Sequence, residues 1–148
     1  MKKILLVLLV LSSITSFAQD AASIVKWTFS SAKGSEPNKY ILTASAKIDE
    51  GWHVFAPDPG GDGLLIPTEI KFTGKTVLKN VSKLIPFRRP ITKEMTGVGF
   101  VNYYEGEITF TVSFEIAKPT TIAGTVSFQC CDDKMCLAPT DIPFKIKL

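Results

Sequence analysis

The passage Tyr40-Ile41-Leu42-Thr43-Ala44-Ser45-Ala46-Lys47-Ile48-Asp49-Glu50-Gly51-Trp52-His53-Val54-Phe55 carries the clearest strand pattern in the chain. Tyr40, Leu42, Ala44, Ala46 and Ile48 fall on one side of an extended chain, the period of two that marks a half-buried strand. Asp49-Glu50-Gly51 carries turn chemistry, and Trp52 to Phe55 resumes with aromatic and β-branched residues. The pattern predicts a hairpin.

The same signal extends outward in both directions. On the N-terminal side, Ile24 to Phe29 sets Val25, Trp27 and Phe29 on one face, and a polar turn containing Gly34, Pro37 and Asn38 follows. On the C-terminal side, Ala56 to Pro67 is rich in glycine, proline and aspartate and reads as a surface loop. Glu69 to Phe72 alternates again, and Thr76 to Leu84 is a candidate strand. Pro86 to Gly99 reads as irregular. Phe100 to Tyr104, Glu107 to Ile116, Thr121 to Gln129 and Ile142 to Leu148 complete the series, with turns at Glu105-Gly106 and Lys118-Pro119. No segment sustains a 3.6-residue apolar period. Short strands separated by turn signals predict an all-β sandwich in a single domain, residues 19–148.

The first residues indicate a compartment. Lys2 and Lys3, the apolar run Ile4 to Leu11 and the small-x-small site Ser16-Phe17-Ala18 form a secretory signal, with a cut expected after Ala18. The apolar run is far short of the roughly 20 residues of a membrane span, so no span is expected in the mature chain. The leader looks bacterial and points to the periplasm or the exterior. The chain has 17 basic and 14 acidic residues, two of the basic ones in the leader, and this near balance predicts no nucleic-acid partner.

Chemistry concentrates in Phe128-Gln129-Cys130-Cys131-Asp132-Asp133-Lys134-Met135-Cys136-Leu137-Ala138-Pro139, which holds all 3 cysteines. An oxidising compartment permits disulfides, but an odd count leaves one thiol over. Strand parity puts Val126, Phe128 and Cys130 on the apolar face and Ser127, Gln129 and Cys131 on the other. If the strand persists, Cys130 points into the core and Cys131 outward, which favours Cys131 over Cys130 as partner of Cys136. A bulge or early turn would reverse the assignment. Closing so short a loop removes only about 2 kcal/mol of unfolded-chain entropy, so a purely structural staple is poorly motivated. Exposed short-loop bridges are reducible but are also often inert, and spacing alone leaves both readings open. Asp132 and Asp133 disfavour a thiolate beside them, with Lys134 offsetting part, so these cysteines are expected to be attacked rather than to attack.

The cysteine stretch resembles the active-site segment of the periplasmic N-terminal domain of DsbD, the transmembrane thiol-disulfide interchange protein. Gly51 to Phe55, Ile66 to Phe72 and Tyr103 to Phe110 are similar to further patches of that family, and the likeness covers essentially the whole mature chain. It implies an immunoglobulin-like β-sandwich. It also implies a redox pair at Cys131 and Cys136, which would take electrons from a membrane donor of the DsbD type and pass them to thioredoxin-fold partners, among them disulfide isomerases and cytochrome-maturation thioredoxins. No cofactor or metal is implied. The family's cap loop over the cysteines falls between Pro90 and Phe100, with Met95 and Phe100 as the nearest counterparts of its covering aromatic, and partners would dock over Thr92 to Phe100. Asp132, Asp133 and Met135 complete the surroundings of the pair. Cys130 is an extra thiol that could form a vicinal bridge with Cys131. The chain shows neither the membrane domain nor the thioredoxin-like domain of the full-length protein, so electrons are expected from a separate partner.

Other readings are weaker. A non-redox binding module with an inert disulfide is the main alternative. Met135, Met95, His53 and the thiols offer soft ligands for Cu(I), but there is no methionine-rich or paired-histidine motif. His53, the single histidine, reads as a polar strand position beside the core, and without a second histidine or a nucleophile motif no hydrolytic triad can be assembled. Trp27 and Trp52 read as core residues, and Arg88-Arg89 as a solvated loop charge.

Overall fold

From Tyr40 to Ile48 every second residue is buried, as the alternation predicts, and the residues between are half-buried or exposed. The computed structural model describes residues 20–148; the leader expected at residues 1–18 lies outside the described residues. In chain order the elements are α1 (Ala21–Ile24), β1 (Val25–Lys33), β2 (Lys39–Ile48), β3 (His53–Gly60), β4 (Glu69–Thr73), β5 (Ile85–Pro86), β6 (Ile91–Met95), β7 (Gly99–Tyr104), β8 (Glu107–Glu115), β9 (Thr121–Phe128), β10 (Cys130–Cys131) and β11 (Thr140–Lys147).

These strands form an immunoglobulin-like β-sandwich. One layer is a sheet in the order β1-β2-β8-β5, and the other is divided into β11-β9-β4 and β10-β3-β7-β6. Each half of the divided layer packs its own core against the first. At one end Tyr40, Leu42, Phe114, Ile122 and Phe144 come together, and at the other Ala46, Val54, Tyr104, Phe110, Phe128 and Cys130 do. Each large side chain removed from water here contributes about 1.5–3 kcal/mol. Gly124 permits the first cluster, because a Cβ there would lie 2.5 Å from both the Lys71 carbonyl oxygen and Phe144 Cζ.

Local pattern misleads in four places. Tyr40 to Phe55 is not a hairpin: β2 is already paired along one edge by β1 (Val25 with Ile48) and along the other by β8 (Ala46 with Ile108). With both edges occupied, the Asp49-Gly51 turn carries the chain across to the opposite layer. Thr76 to Leu84 forms no strand beyond a single bridge from Lys79 to Glu115, because Asn80 adopts a left-handed φ of 49° and interrupts the extended run. The loop expected from Ala56 begins later, since β3 runs on to Gly60 across a register shift. Finally, the irregular stretch contains a strand, β6, which pairs with β7 as a hairpin.

Candidate functional site

At Gln129 the chain leaves one sheet and joins another. β9 ends at Phe128, Gln129 Nε2 donates to the Leu137 carbonyl at 3.0 Å, and Cys130 and Cys131 pair with Val54 and His53 of β3. The alternation survives this break: Phe128 and Cys130 both belong to the core between the layers, and Cys131 lies on the outer face of its sheet. The chain then reverses in a tight turn. The Leu137 N–H donates to the Cys130 carbonyl (2.9 Å) and the Asp132 N–H to the Met135 carbonyl (2.9 Å). Asp132 Oδ1 accepts from the N–H groups of Lys134 (2.8 Å) and Met135 (2.7 Å), and these bonds hold its carboxyl below the ordinary aspartate value. Asp132 is therefore the brace of the turn, and Asp133 is exposed at its tip.

This turn brings Cys131 and Cys136 opposite each other, and they form a disulfide. The two sulfurs sit in unlike surroundings. Cys136 is exposed, whereas Cys131 is only 2% exposed, packed with Phe55, Val101 and Tyr103. The expectation that Cys131 faces outward is thus correct for the sheet face and incorrect for solvent, because a second apolar cluster covers that face. Leu65, Met95 and Val98 close over it, two of them from the β6–β7 hairpin. Met95 touches this cluster, while Phe100 on the same hairpin points to solvent at 64% exposure, as does Met135 at 54%. The approach of this hairpin to β3 depends on Gly60, where a Cβ would come within 2.5 Å of the Phe100 carbonyl oxygen.

Cys130 is excluded from the pair. It is fully buried on the inner face, no vicinal bridge forms, and burial pushes its thiol up to about 11. The residues considered for Cu(I) are likewise divided: His53, Met95 and Cys131 share the outer face, Met135 sits at the turn, and Cys130 lies on the other side of the sheet.

Two residues have roles that sequence reading missed. Arg88 is not a free loop charge. Its guanidinium donates to the carbonyls of Glu105 (2.6 Å) and Glu107 (3.3 Å) and lies 5.3 Å from the Tyr104 ring centroid, clamping the loop to the β7–β8 turn. His53 is the direct cross-strand neighbour of Cys131. It is 6% exposed, its ring centroid lies 4.6 Å from that of Tyr103, and burial lowers its pKa below the usual histidine value. The only available signal was its parity with Phe55, since register with Cys131 is set 78 residues away along the chain.

The family described as thiol:disulfide interchange protein DsbD, N-terminal, matches residues 22–147. The chain belongs to this family. Among solved structures, the N-terminal periplasmic domain of ScsB from Proteus mirabilis is similar with a TM-score of 0.64 and 18% identity, over 84% of this chain and 47% of that one. The chain thus spans about half the length of that structure. The Neisseria meningitidis DsbD N-terminal domain in its reduced form gives a TM-score of 0.57 at 15% identity, over 87% of this chain and 89% of that one. The GAE domain of GGA2p from Saccharomyces cerevisiae shares the fold alone, at 9% identity and a TM-score of 0.51 over 86% of this chain and 94% of that one. No curated protein matches the chain. Among the described residues, no helix is long and apolar enough to cross a membrane.

Proposed function

We propose that this member of the DsbD N-terminal family works in the periplasm, after removal of residues 1–18, as a carrier of reducing equivalents that uses Cys131 and Cys136 as a reversible pair. The unequal exposure of the two sulfurs carries the reading. An incoming thiolate can reach Cys136 but not Cys131, so it bonds to Cys136 Sγ, the Cys131–Cys136 bond breaks, and Cys131 leaves with the electron pair. A second thiolate on the donor then releases the domain as a dithiol. In the second half of the cycle, a partner disulfide takes the two electrons through a mixed disulfide at Cys136, which Cys131 resolves.

The donor would be a membrane protein of the DsbD type and the acceptors thioredoxin-fold proteins, such as disulfide isomerases or the thioredoxins of cytochrome c maturation. Asp132 and Asp133 suit the role of attacked disulfide, because negative charge beside the sulfurs opposes spontaneous thiolate formation. The β6–β7 hairpin, with Met95 against the cluster around Cys131, is the surface on which such partners would dock.

A trapping experiment tests this. A Cys131→Ser variant cannot resolve a mixed disulfide, so it should hold a thioredoxin-fold protein covalently at Cys136 in periplasmic extract. The wild-type pair should equilibrate with glutathione and with thioredoxin-like proteins. A bridge inert toward all of them, with nothing captured, would leave a binding module with a structural disulfide.

A further inference from the structure

His53, Cys131 and Cys136 form one continuous row across three adjacent strand segments, His53 paired to Cys131 and Cys131 paired to Cys136. Directly opposed side chains in an antiparallel pair lie with Cβ atoms about 4.5–5.5 Å apart, so the His53 and Cys131 side chains leave their strands side by side. The ring is nine-tenths buried, and Nε2 has no hydrogen-bond partner among the described residues. A ring nitrogen buried without a partner is disfavoured, and its retention here asks for a role. His53 also borders a cleft of about 550 Å³ that reaches solvent past Glu50, Ile91, Glu105 and Asp133.

We propose that His53 is the proton acceptor and donor for Cys131, the sulfur that solvent does not reach, during exchange. The inference rests on Cys131 and Cys136 being the redox pair. In the resolving step, the Cys131 S–H bond breaks and its proton passes to the neutral imidazole. Cys131 Sγ bonds to Cys136 Sγ, the bond from Cys136 to the partner sulfur breaks, and that sulfur leaves as a thiolate carrying the electron pair. The imidazolium then gives its proton to the departing thiolate or, through the cleft, to water. In the opposite direction neutral His53 takes the proton of the incoming thiol through the cleft. The resulting thiolate bonds to Cys136 Sγ and expels Cys131 with the electron pair of the broken bond, and the imidazolium returns that proton to Cys131 Sγ.

The charged groups around the ring fit this task. Glu105 from the β7–β8 turn and Asp132 and Asp133 from the cysteine turn favour the imidazolium, Lys93 of β6 opposes it, and burial outweighs them all, leaving the ring neutral at pH 7 and able to accept. This base also offsets the local carboxylates, which by themselves would keep Cys131 a thiol.

The resolving step can be isolated without a protein partner. Reacting the reduced protein with dithionitrobenzoate forms a mixed disulfide at exposed Cys136, and Cys131 then expels thionitrobenzoate, whose absorbance gives the rate. In the wild type the rate should fall as pH drops through a value below 6.5, as His53 protonates. His53→Gln should lose that inflection and resolve about 100-fold more slowly at pH 7, within the usual range for general acid–base catalysis. An unchanged rate and pH profile would overturn the proposal. If the variant does not fold, an NMR titration of the single histidine in the wild type decides instead: its midpoint must differ between disulfide and dithiol forms, and superimposable curves would overturn it. Neither readout uses a thioredoxin-fold protein, so failure to capture one would count against the carrier function alone.

Discussion

Removing either cysteine of the pair abolishes the same bridge, but the two losses should differ in size. The disulfide joins residues five apart in sequence, and loop-closure entropy for so short a ring amounts to about 2 kcal/mol. Cys136→Ala should lose about that much, because the Cys136 side chain is exposed and takes little packing with it. Cys131→Ala should lose about 3 kcal/mol. It forfeits the bridge and also leaves a methyl-sized void among Phe55, Val101 and Tyr103, which costs roughly 1 kcal/mol more. Urea denaturation of the two variants beside oxidised and reduced wild type measures these gaps. Cys136→Ala should match the reduced wild type, and Cys131→Ala should fall about 1 kcal/mol below both. At roughly 4 °C per kcal/mol for a domain of this size, thermal melts should repeat the order. If the two alanine variants are equally stable, Cys131 does not occupy a packed apolar cluster and the asymmetry on which the exchange chemistry rests is wrong.

Other regions give independent expectations. With its thiol near 11, Cys130 should be about 0.01% ionised at pH 7 against about 3% for a free cysteine, so alkylation by iodoacetamide should run at least 300-fold slower than at a free thiol; modification at an ordinary rate, read by mass spectrometry, would contradict its burial. The folded-state pKa of Asp132 is depressed, so its contribution to stability is present above the unfolded value near 3.9 and is lost as pH falls through the lower folded value. Hydrogen exchange at the Lys134 and Met135 amides should therefore be protected at pH 6, and Asp132→Ala should remove that protection. Met95→Ala should cost about 1–2 kcal/mol and speed reduction of the bridge by dithiothreitol, while Phe100→Ala, mostly exposed, should stay within about 0.5 kcal/mol and leave the reduction rate unchanged.

Much of this protein was legible in its sequence. The period of two in Tyr40 to Ile48, and its recurrence in later segments, specified strands and the faces they bury. The same parity placed Cys130 in the core and Cys131 on the opposite face, and it held because the break at Gln129 shifts the chain between sheets without an extra residue. The cysteine spacing and the patches around Trp52, Pro67 and Tyr103 carried the family.

Which strands meet, and what covers their outer faces, depend on the assembled layers and not on any one segment. Alternation is a property of one strand and is blind to its neighbours, so it could not show that β1 and β8 fill both edges of β2 and send β3 to the other layer. A face opposite the core is ordinarily solvated, so nothing local showed that Phe55, Tyr103 and the β6–β7 hairpin would bury Cys131. The pairing of His53 with Cys131 has the same origin: it is a register between segments 78 residues apart, fixed by the packing of two layers and by no local signal.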